Sequence, residues 1–301
     1  MHRFAPLPIV LSLLAIAGTA SAQRAAPGEV STSFSFSSLG ELKSDLDEGG
    51  DFDWWGVGVK AGVTRQFTPA LSAGITASYA MERWSFSGPN AFGSAAPWRD
   101  IERPSLGLSL GYKLGDGMSL FVAPQLEWAY ESGAKSSDGM NYGAVVGVTQ
   151  FLSPTLFLGL GLGAFRQIDE NKYFPFVIVN WQITDSLRLG NPLPAGPAGG
   201  AGLELAYALS GDWELAGGAA YRDYRFRLKS NGPVANGLGE NSGVPLFARL
   251  TRKFGPAGQL DFYAGYVLGG KLKVMNESGA TVRQSDHGAS PMLALTGSIR
   301  F

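Results

Sequence analysis

The sequence predicts an all-β fold: a closed antiparallel transmembrane β-barrel of about 14 strands, with short turns at one end and longer loops at the other. Three observations predict it. Apolar residues recur at every second position in run after run, which is the pleat of a strand with one apolar face. Turn sequences and Gly-, Ser- and Asp-rich loops separate those runs in alternation. The composition agrees, with 42 Gly, 12% aromatic and only 16% charged residues in a chain of 301. A mean hydropathy of +0.04 suits a barrel, where only every second residue faces lipid.

The elements follow in order. Arg3, the apolar run Ile9 to Ala17 and Ala20-Ser21-Ala22 before Gln23 read as a secretory signal peptide over residues 1–22, leaving 23–301 as the barrel. The apolar run is about half the roughly 20 residues that a spanning helix needs. The first strand, Glu29 to Ser38, carries Val30, Thr32, Phe34 and Phe36. In the second, Phe52 to Phe67, Trp55, Val57, Val59 and Val63 share a face opposite Gly56, Gly58, Lys60 and Gly62. Thr68-Pro69-Ala70 turns into Leu71, Ala73, Ile75, Ala77 and Tyr79. A long loop from Gly88 to Arg99 precedes Leu106, Leu108, Leu110 and Tyr112, and Gly115-Asp116-Gly117 makes a hairpin into Leu120, Val122 and Leu126.

Gly143 to Phe165 is apolar enough to suggest a helix, but Ser153-Pro154 interrupts it and Gly alternates with Leu from Leu156 to Gly163. Gly at every second position weakens a helix and suits a pleat. Two strands, Asn141–Leu152 and Thr155–Ile168, fit better. Tyr173 to Ile183 is the eighth, and Leu187 with Leu189 begins a short ninth broken by the Gly/Pro stretch from Asn191 to Gly200. Leu203–Leu209, Trp213–Leu228, Val244–Phe254, Leu260–Val274 and a terminal strand follow. If the ninth is not a full strand, the count falls to about 12; both counts are even, as bacterial single-chain barrels require.

Pro104, Pro175, Pro245 and Pro291 lie near the loop-end starts of descending strands, where a lost ladder bond costs least. Pro124 falls inside the fifth strand, so a bulge is expected there. Aromatic residues gather in two belts, one near the turns (Phe67, Tyr112, Trp181, Tyr207, Trp213, Phe254 and Phe301) and one near the loops (Trp55, Tyr79, Trp128, Tyr130, Tyr142, Tyr173 and Tyr221). Such belts flank the apolar band of a membrane barrel. Lipid cannot satisfy an open sheet edge, so closure is required.

The chain ends on Leu293, Leu295, Gly297, Ile299 and Phe301, alternating with small or polar residues. This ending resembles the C-terminal strand of Gram-negative outer-membrane barrels, in which a final Phe is read by the barrel assembly machinery. Ile183 to Pro192, Gly202 to Tyr207 and Tyr221 to Leu228 resemble the core of an uncharacterised outer-membrane β-barrel family, a domain of unknown function. The resemblance implies a barrel in the cell outer membrane, in contact with its lipid and lipopolysaccharide. It implies no substrate.

Composition excludes several functions. With Arg3 set aside, 24 basic residues against 25 acidic become 23 against 25, which gives no support for nucleic-acid binding. The absence of Cys excludes a thiol nucleophile and a disulfide framework. Asp286-His287 is the candidate dyad for a barrel hydrolase, a third-ranked alternative, and a loop His is the plainer reading, so no enzyme is expected. Asp45, Asp47, Asp51 and Asp53 are weak candidates for a Ca²⁺ site, though the register matches no EF-hand loop. No cofactor is expected.

The inward face is more specific. Phe157, Phe165, Phe174 and Phe176 form an apolar lumen wall interleaved with Gly. Lys60, Glu127, Glu204 and Arg249 fall at similar heights and are the candidates for a constriction. A barrel of this size leaves room for a ligand or channel. The expected role is passive passage or binding of a small solute; the alternative is a plugged structural barrel acting through its loops.

Overall fold

The computed structural model describes residues 26–89, 92–93, 96–192 and 201–301. The signal peptide expected over residues 1–22 therefore lies outside the described residues. The wall begins with β1 (Val30–Asp45), β2 (Asp51–Gln66), β3 (Leu71–Ser87), β4 (Asp100–Gly115) and β5 (Met118–Trp128). It continues with β6 (Met140–Ser153), β7 (Leu156–Gln167), β8 (Glu170–Gln182) and β9 (Leu187–Gly190). It ends with β10 (Gly202–Ser210), β11 (Trp213–Ala220), β12 (Leu238–Phe254), β13 (Gly258–Met275) and β14 (Ser290–Arg300). Each strand pairs antiparallel with the next, and β1 pairs with β14 from Ser33↔Arg300 to Glu41↔Met292. The barrel is closed and has 14 strands.

Alternation sets the two faces. Leu106, Leu108, Leu110 and Tyr112 of β4 point outward and exposed, as do Leu160 and Leu162 of β7, each above 60% accessible. The turn-end belt and Trp55, Tyr79, Tyr142 and Tyr173 of the loop-end belt are exposed on this outer surface, whereas Trp128, Tyr130 and Tyr221 are half-buried. An outward apolar band of this kind is the reverse of a water-soluble sheet packing.

The short ninth strand is a true stave. Arg188 to Gly190 pairs with Asn180 to Gln182 of β8, and Leu187 to Gly190 pairs with Glu204 to Tyr207 of β10. Asn191 then carries the join further by its side chain. Its carboxamide accepts from the Val179 N–H at 2.8 Å and donates to the carbonyls of Val177 and Gly202 at 3.2 and 3.0 Å.

Three expectations need correction. Pro124 makes no bulge: β5 pairs with β6 without a break from Met118↔Gln150 to Trp128↔Met140, Pro124 facing Ala144. Its missing N–H falls toward β4, where pairing skips from Gly107↔Gln125 to Leu110↔Val122 in the same register. The loops are also less uniform than predicted, because β7 and β8 join through Ile168 and Asp169 alone, Ile168 taking φ +45. Finally, several strands reach beyond their apolar patterns at the loop end; β12 starts at Leu238 and β4 at Asp100. Hydrogen bonding continues above the outward apolar band, where the alternation that marks a strand is lost.

Those extensions build a second, narrower closure. Tyr130–Glu131 continues β5, Arg222–Arg227 continues β11, and Thr281–His287 lies between β13 and β14 in the chain. At the loop end β1, β2, β3 and β4 pair in turn, β4 pairs with Tyr130–Glu131, and Tyr130 pairs in parallel with Arg227. Arg222–Arg227 pairs with β12, β12 with β13, β13 with Thr281–His287, and His287 bridges to Leu46 beyond β1. Nine strands thus form a ring on top of 14, and β6 to β10 stop outside it.

Candidate functional site: the lumen

The ring encloses a packed core. Phe52, Trp54, Trp84, Trp98, Ile101 and Phe226 are buried together with Leu228, Leu272 and Val274. Trp98 meets Trp84 edge-on at 5.6 Å and Phe226 at 5.1 Å. Burying each such side chain stabilises by about 1.5–3 kcal/mol, so this seal is not a loosely draped loop.

Polar contacts hold the inserted segment. Tyr224 Oη donates to Glu82 Oε2 at 2.8 Å, and the Arg103 guanidinium lies 4.5 Å from the Tyr224 ring centre. Arg222 binds the Glu41 carboxylate and lies 5.3 Å from the Trp54 ring. The other side of the segment meets β8 and its turn: Asp223 pairs with Lys172 at 3.6 Å, Arg225 with Asp169 and Glu170 at 3.2 and 3.1 Å. Alternation explains the split, since residues 222, 224 and 226 point one way and 223 and 225 the other.

Below the seal the wall has two characters. On β1 to β4 the inward residues are small: Ser33, Ser35, Ser37, Gly58, Gly62, Ser72, Gly74, Ser78, Ser105 and Ser109, all at least partly accessible. Lys60 stands among them, facing Ser35 and Ser78 in register. On β5, β7 and β8 aromatic residues point inward, and Phe121, Phe174, Phe176 and Ile178 are buried with Phe157 and Phe165 against them. A Cβ on Gly147 would fall 2.6 Å from the Phe121 ring, and Gly161 and Gly163 receive Phe176 and Phe174 in the same way. The glycines seat rings, so the predicted apolar wall is a packed one.

The opposite arc is ionic. Arg249 Nη2 lies 2.6 Å from Glu204 and 2.8 Å from Glu214, and its Nη1 lies 3.4 Å from Asp261. Thr251 and Thr296 donate to Asp261 at 2.6 and 3.1 Å. Arg188 and Lys253 each approach Glu214 at 3.2 Å. Ions this deep carry a desolvation penalty of several kcal/mol each, offset only by close pairing. Arg249 is 1% exposed.

The four constriction candidates therefore fall into two groups. Glu204 and Arg249 are in contact. Lys60 and Glu127 are elsewhere, on one ladder rung running through Ser78 and Ser105, whose hydroxyls are 2.6 Å apart. Three strand spacings of about 4.8 Å separate them, and Glu127 pairs instead with Arg103 at 3.3 Å. Sequence reasoning missed Arg103, Glu82, Glu41 and Tyr224; the Trp-rich stretch from Trp84 to Trp98 was the available signal.

The remaining candidates are not drawn into sites. Asp286 pairs with Lys271 at 3.2 Å, while His287 is buried, with Nδ1 2.8 Å from Ser290 Oγ and its ring edge-on to Phe52. Burial pushes its pKa down. Among the described residues no group of three or more His, Asp or Glu is placed to hold a metal; Asp51 accepts from Ser87 at 2.6 Å. Phe301 is exposed at the turn end, its N–H and C=O paired with Thr32.

A vestibule of about 380 Å³ opens at the turn end, reaching from Thr155 and Ser186 up to Glu214 and Arg249.

No family model matches this sequence, and no curated protein matches it. Solved structures do. The COG4313 outer membrane channel from Pseudomonas putida F1 aligns over 93% of this chain and 98% of its own, at 13% identity and a TM-score of 0.50. The P. putida toluene transporter TodX aligns over 92% and 91%, at 9% identity and a TM-score of 0.42. The KdgM porin aligns over 89% and 99%, at 12% identity and a TM-score of 0.34. The first likeness speaks to the fold alone, and the other two add no weight.

Proposed function

We propose that this chain is an outer-membrane barrel for passive passage or binding of a small solute, resting closed at its outer end. The carrying observation is the contrast along β1 to β4. Small Ser and Gly side chains line the lower lumen and stay at least partly accessible, while Trp54, Trp84 and Ile101 above them are buried. The outward apolar band and two aromatic belts support a membrane setting, and the three C-terminal segments that resemble an outer-membrane family agree with it. Short turns, both termini and Phe301 would then face the periplasm, where the assembly machinery reads the last strand. No step in this role is enzymatic.

Planar-bilayer conductance of refolded protein tests the reading. The parent should give rare, small openings. A variant in which residues 223–241 are replaced by a short Gly-Ser linker should conduct steadily. The buried aromatic seal favours a second reading, a permanently plugged scaffold acting through its loops. Silence from both proteins, with no solute binding, would leave that scaffold standing.

A further inference from the structure

We propose that the turn-end vestibule is a subsite for a carboxylate-bearing solute with a compact apolar body; this rests on the passage-or-binding reading above. The cavity, about 380 Å³, holds the volume of roughly a dozen waters. Leu156, Phe157 and Ile178 are among its lining residues, with Arg188, Lys253 and Glu214, and the exposed Asp185 lies at its rim.

The ionic cluster faces the cavity unevenly. Its carboxylates are the more buried members: the side chains of Glu204 and Asp261 are 0% and 2% exposed, against Arg249, and Glu214, which reaches the cavity, is 11% exposed. Its cations are turned toward the space, with Lys253 41% and Arg188 26% exposed. Both cations already touch Glu214, one carboxylate between two donors-rich groups. An ammonium has three N–H donors and a guanidinium five, so each has donors left for an incoming acceptor. Within the cluster the more accessible carboxylate is already neutralised, because Arg188, Arg249 and Lys253 converge on Glu214. A carboxylate can bridge Arg188 and Lys253 with charge-assisted bonds. Its apolar body then lies against Phe157 and Leu156, out of water.

Sodium benzoate, benzyl alcohol and benzylammonium are the probes, titrated calorimetrically into refolded full-length barrel in detergent at low salt. Benzoate should bind at least tenfold more tightly than either of the others. Lys253→Gln and Arg188→Gln should each weaken it at least fivefold, Lys253→Arg should retain it, and Lys273→Gln at the outer rim should change nothing. Heat-modifiable gel mobility confirms that each variant is a folded barrel. Equal affinity for benzyl alcohol or benzylammonium, no benzoate binding by the parent, or indifference to both Gln variants would overturn the subsite. Conductance of the same preparation separates the two readings: a conducting barrel without benzoate preference loses the subsite alone. A silent barrel that binds benzoate keeps the subsite and loses passage.

Discussion

Arg227 pairs in parallel with Tyr130, although their strands, β11 and β5, stand on opposite sides of the barrel. That contact pinches the loop end. Arg227 N–H also donates to the Ala129 carbonyl at 2.9 Å, and Lys229 binds Glu131 at 3.1 Å. The wall therefore narrows above the outward apolar band, and the aromatic core fills what remains.

The seal should be weakened from its polar seat without emptying its core. Tyr224→Phe removes the bond to Glu82 and leaves that carboxylate beside Arg103 at 3.6 Å. A lost charged hydrogen bond is worth about 1.5–3 kcal/mol. Open probability in bilayers should rise severalfold. Phe226→Ala, which opens a cavity at about 3–5 kcal/mol, should raise it further. Unchanged conductance for both variants would show that the inserted segment does not close the path.

Much of this molecule was legible in its sequence, and the limits have a physical cause. Period-two alternation marks a strand wherever one face is apolar, so every stave was visible, even Leu187 to Gly190. Residues 213–228 read as one strand, although the apolar positions change parity after Tyr221: Trp213, Leu215 and Tyr221 are odd, Tyr224, Phe226 and Leu228 even. That shift, which turns the apolar side chains from the lipid face to the interior, is the local trace of the chain leaving the wall; where it goes depends on Tyr130, far away in sequence. Inward charges were legible for the same periodic reason. Which of them touch was not, since Glu204 and Arg249 meet only through the registers of β10 to β12.

Arg249 holds three carboxylates together, so its removal should be structural before it is functional. Arg249→Ala leaves Asp261 buried without its cation and Glu204 with Arg188 alone at 3.6 Å, a loss of about 3–5 kcal/mol. The folded, heat-modifiable band should melt well below the parent. The double variant Arg249→Met with Glu204→Gln removes opposite charges together and should recover part of that loss. A single variant as stable as the parent would mean that water already reaches these groups.

Gly161 tests whether the apolar wall is packed or open. A Cβ there meets the Phe176 ring, and overpacking costs about 1–3 kcal/mol. Gly161→Val should lower thermal stability, and pairing it with Phe176→Ala should restore it. Strict additivity of the two losses would show that ring and glycine do not share one space.

Phe301 should matter to assembly more than to stability. It is exposed, and only its backbone pairs with Thr32. Deleting it should lower outer-membrane levels and leave periplasmic degradation products, whereas Arg300→Ala should do little. In detergent, refolded deletion protein should melt within a few degrees of the parent. Equal surface levels for the deletion and the parent would remove the assembly role.

Asn191 is where the wall rests on a single side chain. Beyond Gly190 the ladder adds one backbone bond, from the Asn191 N–H to the Val179 carbonyl at 3.3 Å, and the carboxamide supplies an acceptor to Val179 N–H and donors to Val177 and Gly202. Each such bond contributes about 0.5–1.5 kcal/mol net, and an unpaired backbone group in the wall costs about 1–3 kcal/mol. Asn191→Ala should therefore lose about 2–4 kcal/mol and expose the upper edge of β8 to hydrogen exchange, with Val177 and Val179 affected first. Asn191→Asp discriminates the mechanism, because a carboxylate can accept from Val179 but cannot donate to the two carbonyls. It should keep Val179 protected while still destabilising the barrel. Full protection of Val179 in the Ala variant would show that another group completes the ladder there.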